Sequence, residues 1–146
     1  MGLSGLELHH VAVRMRPDAA DPTVAFYRDV LGLAPDPQTR QVPGVPGAWL
    51  DAADAQVHVF AVEGVSAYAR QPDRDPFTRH VAFGVPDVVA AKAELERLAV
   101  PHWRVGRDAL QQVFVDDPSG NLVELHQIGT CRCRPTVRGA ADVDTS

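Results

Sequence analysis

The segment His10-Val11-Ala12-Val13 returns seventy residues later as His80-Val81-Ala82-Phe83. In a chain of 146 residues, a repeat at that spacing confines the fold to two copies of one supersecondary unit. Each copy is a short run rich in β-branched and apolar residues and reads as a strand. A helix signal follows each strand. In the first copy Asp21 is expected to cap and Pro22 to occupy the first helical position. Val24, Tyr27 and Leu31 then mark one face, with Phe26, Val30 and Leu33 beside it, and Gly32 is the expected stop. In the second copy Asp87 is the expected cap, Val88, Ala91, Leu95 and Leu98 fall at helical spacing, and Pro101 ends the segment.

Strand-like runs follow each helix. Residues 47–51 and 56–62, joined by a turn at 52–54, form one expected hairpin. Residues 111–116 and 121–127, joined by Asp117-Pro118-Ser119-Gly120, form the other. An additional strand is expected before each hairpin, near Thr39 to Val42 and near His102 to Val105. The chain thus reads as an α+β protein of two βαβββ modules, residues 6–63 and 78–128, building a cupped mixed sheet with flanking helices. Gln71 to Thr78 is the linker, and residues 129–146 are a polar C-terminal tail.

Overlaying the modules aligns Trp49 with Phe114 and, allowing for one residue in turn length, His58 with Glu124. Two strand positions therefore carry metal-ligand side chains in both copies: His10 with His80, and His58 with Glu124. Strand alternation turns His58 away from Val57 and Val59, and Glu124 away from Val123 and Leu125. The apolar neighbours can meet the helices while the four polar groups face the other side. Imidazole and carboxylate on a sheet interior are costly unless paired or metal-bound. No local motif such as His-x-x-x-His is present, so the inference rests on the symmetry of the positions.

Composition narrows the partners. Apolar residues make up 45% and charged residues 23%, as in ordinary globular chains. The net charge of −5, with no basic stripe, argues against nucleic acid. No run approaches the ~18 apolar residues of a membrane span, and Met1 to His10 does not read as a signal peptide. Only Cys131 and Cys133 occur, both in the tail, so a reducing cytoplasm is the expected compartment.

The segments His9-His10-Val11-Ala12-Val13, residues 25–33, His80-Val81-Ala82-Phe83 and residues 117–125 resemble the signature blocks of the vicinal oxygen chelate superfamily, across roughly residues 6–128. That superfamily includes glyoxalase I, extradiol dioxygenases, methylmalonyl-CoA epimerase, fosfomycin-resistance thiol transferases and bleomycin-binding proteins. Carried over by position, the resemblance implies one divalent ion (Ni, Co, Mn, Fe or Zn) on His10, His58, His80 and Glu124. Glu124 and His58 would also be the catalytic side chains. It further implies a small-molecule substrate with vicinal oxygens, a homodimer, and a cup built within one chain or between two. The glyoxalase I pattern commonly has Glu or Gln where this chain has His58. The expected activity is Lewis-acid chemistry of lyase or isomerase type. An Fe(II) extradiol dioxygenase is the alternative, needing only His10, His80 and Glu124. A drug- or metabolite-binding resistance protein is the third.

Arg14, Trp49, Phe60, Trp103, Arg104 and Phe114 are the candidate pocket residues: core is the default for the four aromatics, and the two arginines, candidates for an anionic substrate group, are by default exposed. His9 must point away from His10 on a regular strand and reads as packing or surface. His102 and His126, near strand ends, could line the mouth but read first as surface. Cys131-Arg132-Cys133 is a weak potential metal site.

Overall fold

A computed structural model of the chain describes residues 2–38 and 41–130. Strands β1 (Glu7–Met15), β2 (Ala34–Pro35), β3 (Gly47–Ala52), β4 (Ala55–Ala61), β5 (His80–Val85), β6 (Trp103–Val105), β7 (Gln112–Asp116) and β8 (Leu122–Gln127) form one open mixed sheet. Its order is β2-β3-β4-β1-β5-β8-β7-β6. Helices α1 (Ala20–Ala25) and α2 (Val88–Arg97) lie on one face.

The sequence repeat becomes a symmetry of the sheet. β1 runs parallel to β4 as β5 runs parallel to β8, and the halves meet where β1 and β5 pair antiparallel. Trp49 lies opposite His58 and Phe114 opposite Glu124, the same relation in each half. Beyond an irregularity early in β1, the strands obey one alternation. Val13, Met15, Leu50, Val57 and Val59 pack with Val24 and Tyr27 beneath α1. Val85, Val113, Val123 and Leu125 pack with Val88, Ala91 and Leu95 of α2. The intervening residues, His10, Ala12, His58, His80, Ala82 and Glu124 among them, face the other way and are buried there.

α2 forms as its sequence dictates. Asp87 has extended backbone, and its carboxylate accepts from the Ala90 amide at 3.0 Å. Leu98 closes the helix, and Ala99 enters the left-handed region with φ 56° just before Pro101. α1 departs from expectation at both ends. Its cap position is Ala19 with no side-chain bond, and Asp21 lies inside the first turn. After Ala25 the chain widens into a π-type turn over Phe26–Val30, with Leu31 N–H donating to the Phe26 carbonyl. That turn takes up one extra residue and rotates the face. Leu31 is consequently exposed, and Leu33 packs in its stead.

The additional strand before the first hairpin is β2, whose Ala34 and Pro35 pair with Asp51 and Leu50. The expected strand near Thr39 to Val42 is thereby displaced toward the N-terminus, and residues 39 and 40 lie outside the described residues. Pro35 lacks an N–H and is tolerated because β2 is the sheet edge. Val42 instead bridges to Val45 across Pro43-Gly44, where Gly44 has φ 76°. Both valines fold onto Trp49 and Phe60 on the face without helices, joined by Tyr68 and Phe77. The second additional strand, β6, lies where it was expected.

Candidate metal centre

Two alanines make room for the centre. Ala12 stands between His58 on β4 and His80 on β5, and Ala82 stands between His10 on β1 and Glu124 on β8. Each alanine is essentially inaccessible, 3% and 0% exposed. A larger residue at either position would fill the space that the rings and the carboxylate occupy.

The Nε2 atoms of His10 and His80 lie 3.1 Å apart. The Glu124 carboxylate oxygens are 3.8 Å from each of these nitrogens. Single ligand atoms of His10, His80 and Glu124 all fall within 4.8 Å of one another. Two nitrogens each ~2.1 Å from one ion and at right angles to it stand ~3.0 Å apart, which the histidine pair matches. The second nitrogen of His80, Nδ1, sits 2.6 Å from the Thr78 carbonyl oxygen. A carbonyl accepts only, so this bond places a proton on Nδ1, and in the neutral ring Nε2 then keeps its lone pair. The donor set and its spacing fit a divalent cation.

The protonation states fit as well. Burial pushes the His10 basicity well below its ordinary value; the Glu124 charge opposes this, while His80, His9 and His126 reinforce it. Burial likewise lowers His58, with His10 and the other histidines adding to it. Both imidazoles are then neutral at pH 7, the form that binds metal. For Glu124, burial acts to raise the pKa. The hydrogen bond from His126 and the neighbouring His10 and His80 outweigh it, and the carboxyl lies well below the usual carboxylate range. His126 Nδ1 sits 3.0 Å from Oε2, and Gln112 Nε2 donates to Oε1 at 2.8 Å. Among the described residues the Nε2 atom of His126 has no hydrogen-bond partner.

His58 adjoins these three with a different orientation. Its ring stacks on His10, with centroids 3.8 Å apart and planes at 19°. Its Nε2 lies 2.9 Å from Gln56 Oε1. The amide of Gln56 donates through Nε2 to Asp36 at 2.8 Å and to Asp51 at 2.9 Å. Two carboxylates accepting at the nitrogen end fix the amide with its oxygen toward His58. The His58 Nε2 therefore carries a proton in this arrangement.

Two histidines belong to the centre against expectation. His126 is buried rather than superficial: two residues beyond Glu124 on β8, it shares the same face. His9 is turned by an irregularity in the β1–β5 register between Leu8 and His10. The bulge places both rings on one side, with His9 Nδ1 2.7 Å from His10 Nδ1 and the His9 ring 4.5 Å from that of His126. His102 stays at the periphery, with Nδ1 on the Val100 carbonyl.

The expected pocket residues separate into three groups. Trp49 and Phe60 wall the centre beside His58, at 5.9 and 6.2 Å between ring centroids. Phe114 meets His80 edge-on at 6.1 Å, and Trp103 stacks on Phe114 at 4.2 Å. Arg14 is committed to the fold: it donates to the carbonyls of Phe77 and Gly64 and pairs with Asp75 at 3.3 Å. Arg104 donates to the Gly106 carbonyl and lines a separate cavity with Trp103. Cys131 and Cys133 lie outside the described residues. No described helix is long and apolar enough to cross a membrane.

These features match a known lineage. The profile of the Glyoxalase/Bleomycin resistance protein/Dioxygenase superfamily covers residues 7–125, and the chain belongs to that superfamily. Solved structures of similar fold include a hypothetical protein from Bacillus halodurans C-125, 20% identical over 85% of this chain and 95% of that one, with a TM-score of 0.62. The methylmalonyl-CoA epimerase of Mycobacterium tuberculosis is 24% identical over 82% of this chain and 86% of its own, with a TM-score of 0.61. A superfamily member from Vibrio splendidus 12B01 is 14% identical over 84% and 98%, with a TM-score of 0.55. No curated protein sequence matches the chain significantly.

Proposed function

We propose that the chain is a divalent-metal enzyme that takes a small substrate through oxygens on adjacent carbons and acts on it as a lyase or isomerase. The observation carrying this reading is the convergence of His10, His80 and Glu124 within 4.8 Å on a buried sheet face. These residues would hold the ion, with His58, stacked on His10, as the fourth ligand. A bound divalent cation supplies Lewis acidity, stabilising negative charge that develops on the substrate oxygens. The protein's own contribution is positional. Thr78 fixes the tautomer of His80, His126 and Gln112 orient the Glu124 carboxylate, and Trp49, Phe60 and Phe114 keep the surroundings apolar. A low-dielectric wall strengthens every charge interaction inside it.

A second reading is favoured by one specific observation, the His58–Gln56 hydrogen bond. With His58 held there, the remaining set is two histidines and one carboxylate, the ligand pattern of non-haem Fe(II) oxygenases. Elemental analysis of the purified protein, followed by assays with diketones and catechols, tests both readings. The lyase or isomerase reading expects substrate-derived C–H positions to exchange with D2O without oxygen uptake. Oxygen consumption with a catechol would overturn it. Tight binding of one compound without turnover would identify a sequestering protein instead. We further propose that the active form is a homodimer, which sedimentation analysis would check.

A further inference from the structure

In a chain of net charge −5, one cavity is lined by cations. It measures about 410 Å³ and is bounded by Arg70, Gln71 and Arg74 before β5, Lys92 on α2, and His102, Trp103 and Arg104 leading into and along β6. Among the described residues no carboxylate lines it. Glu96, on the next turn of α2, pairs with Lys92 and lies 3.8 Å from His102, so part of this charge is balanced from the helix side. Arg74, Lys92 and Arg104 are all half-buried, which leaves their charges less screened than those of freely solvated side chains. Like charges gathered from three separate segments repel one another unless an anion sits between them.

The cavity also shares a wall with the metal centre. Trp103 forms part of its wall and stacks on Phe114, with ring planes 13° apart. Phe114 in turn presents its edge to His80, with planes at 90°. Two ring contacts thus separate the cationic cavity from a metal ligand.

We infer that this cavity is an anion-binding subsite, which takes an oxyanionic group, phosphoryl or carboxylate, of a small molecule. The inference rests on the cavity alone and is independent of the metal-enzyme reading. Guanidinium groups offer paired N–H donors that match phosphate and carboxylate oxygens, and Lys92 adds a compact charge.

The test exploits a feature of the sequence: Lys92 is the only lysine in the chain. Metal-stripped protein is treated with an amine-acetylating reagent, with and without pyrophosphate or citrate, and modification of Lys92 is read by peptide mass. Either anion should protect Lys92, and the stronger protector identifies phosphoryl or carboxylate as the preferred group. Arg74→Gln should weaken the protecting anion about fivefold or more. Arg97→Gln, on an exposed ion pair of the same helix, should leave protection unchanged. Glu124→Gln should also leave it unchanged, since the subsite does not use the metal. Absence of protection by both anions would overturn the subsite, as would protection insensitive to Arg74→Gln or lost with Glu124→Gln. If protection holds while Glu124→Gln has no effect on metal content, the subsite stands and the metal reading fails.

Discussion

His126 presents Nδ1 to the Oε2 atom of Glu124 at 3.0 Å, a buried contact between two residues separated by one position on β8. It orients the carboxylate proposed to ligate the metal and supplies part of the field that keeps it ionised. Replacing His126 with alanine should leave the sheet intact and lower metal affinity about 10–100-fold, the usual effect of removing such an outer partner. Competition against a chromophoric chelator measures this. Unchanged affinity would show that Gln112 alone suffices to hold the carboxylate.

Glu124 itself should be far less replaceable. It is 2% exposed and is the single carboxylate in the three-residue cluster. Glu124→Ala removes the only anionic member of the proposed ligand set and opens a hole beside Ala82. Metal recovered with the purified variant should fall to background. Stoichiometric metal in Glu124→Ala would place the ion elsewhere.

Much of this centre was legible in the sequence because strand periodicity is strict. The overlay of Trp49 with Phe114 and of His58 with Glu124 appears in the structure as equivalent cross-strand pairs. The same period also places His126 and Gln56 on that face, each two residues from a ligand-type side chain, a signal that the reading of His126 as surface overlooks and that no expectation for Gln56 used. His9 was not legible, because the irregularity between Leu8 and His10 depends on how β1 meets β5. The π-type turn at Phe26–Val30 was hidden for a similar reason: the residues suit an ordinary helix, and packing of Tyr27 and Leu33 selects the wider one. Around residues 34–46 several prolines left the short β2 without an alternating pattern to reveal it.

The buried histidines set the response to acid. His10 and His58 titrate well below 6.5 in the folded protein because burial disfavours their charged forms. In the unfolded chain they titrate near the ordinary value. Below about pH 6.5 the unfolded state therefore binds protons that the folded state refuses, and stability falls as pH falls. Glu124 adds to this lower down: its depressed pKa contributes stability above about 4.5 that is lost as acid protonates it. The melting temperature of metal-free protein should be level from about pH 7 to 8 and decline steadily from 6.5 toward 5. A flat profile through that window would mean the two imidazoles are charged when folded.

The last test concerns the side chain on which the two chemical readings divide. His58 stacks on His10 yet bonds to Gln56, whose amide is fixed by Asp36 and Asp51. If His58 completes the metal's ligand set, His58→Ala should weaken metal binding and turnover together. In that case Gln56→Ala, which frees the ring from its anchor, should retain metal. If His58 stays with Gln56 during catalysis, His58→Ala should keep its metal, because the two-histidine, one-carboxylate set is complete without it. Metal content of the two variants, measured beside wild type at equal protein concentration, separates these outcomes without knowledge of the substrate. Full metal retention in His58→Ala would overturn the four-ligand arrangement. Removing the ring also leaves a cavity against Trp49 and Phe60, which should lower stability by roughly 2–4 kcal/mol. The comparison is therefore made well below the variant's melting temperature, so that loss of metal reports ligation and not unfolding.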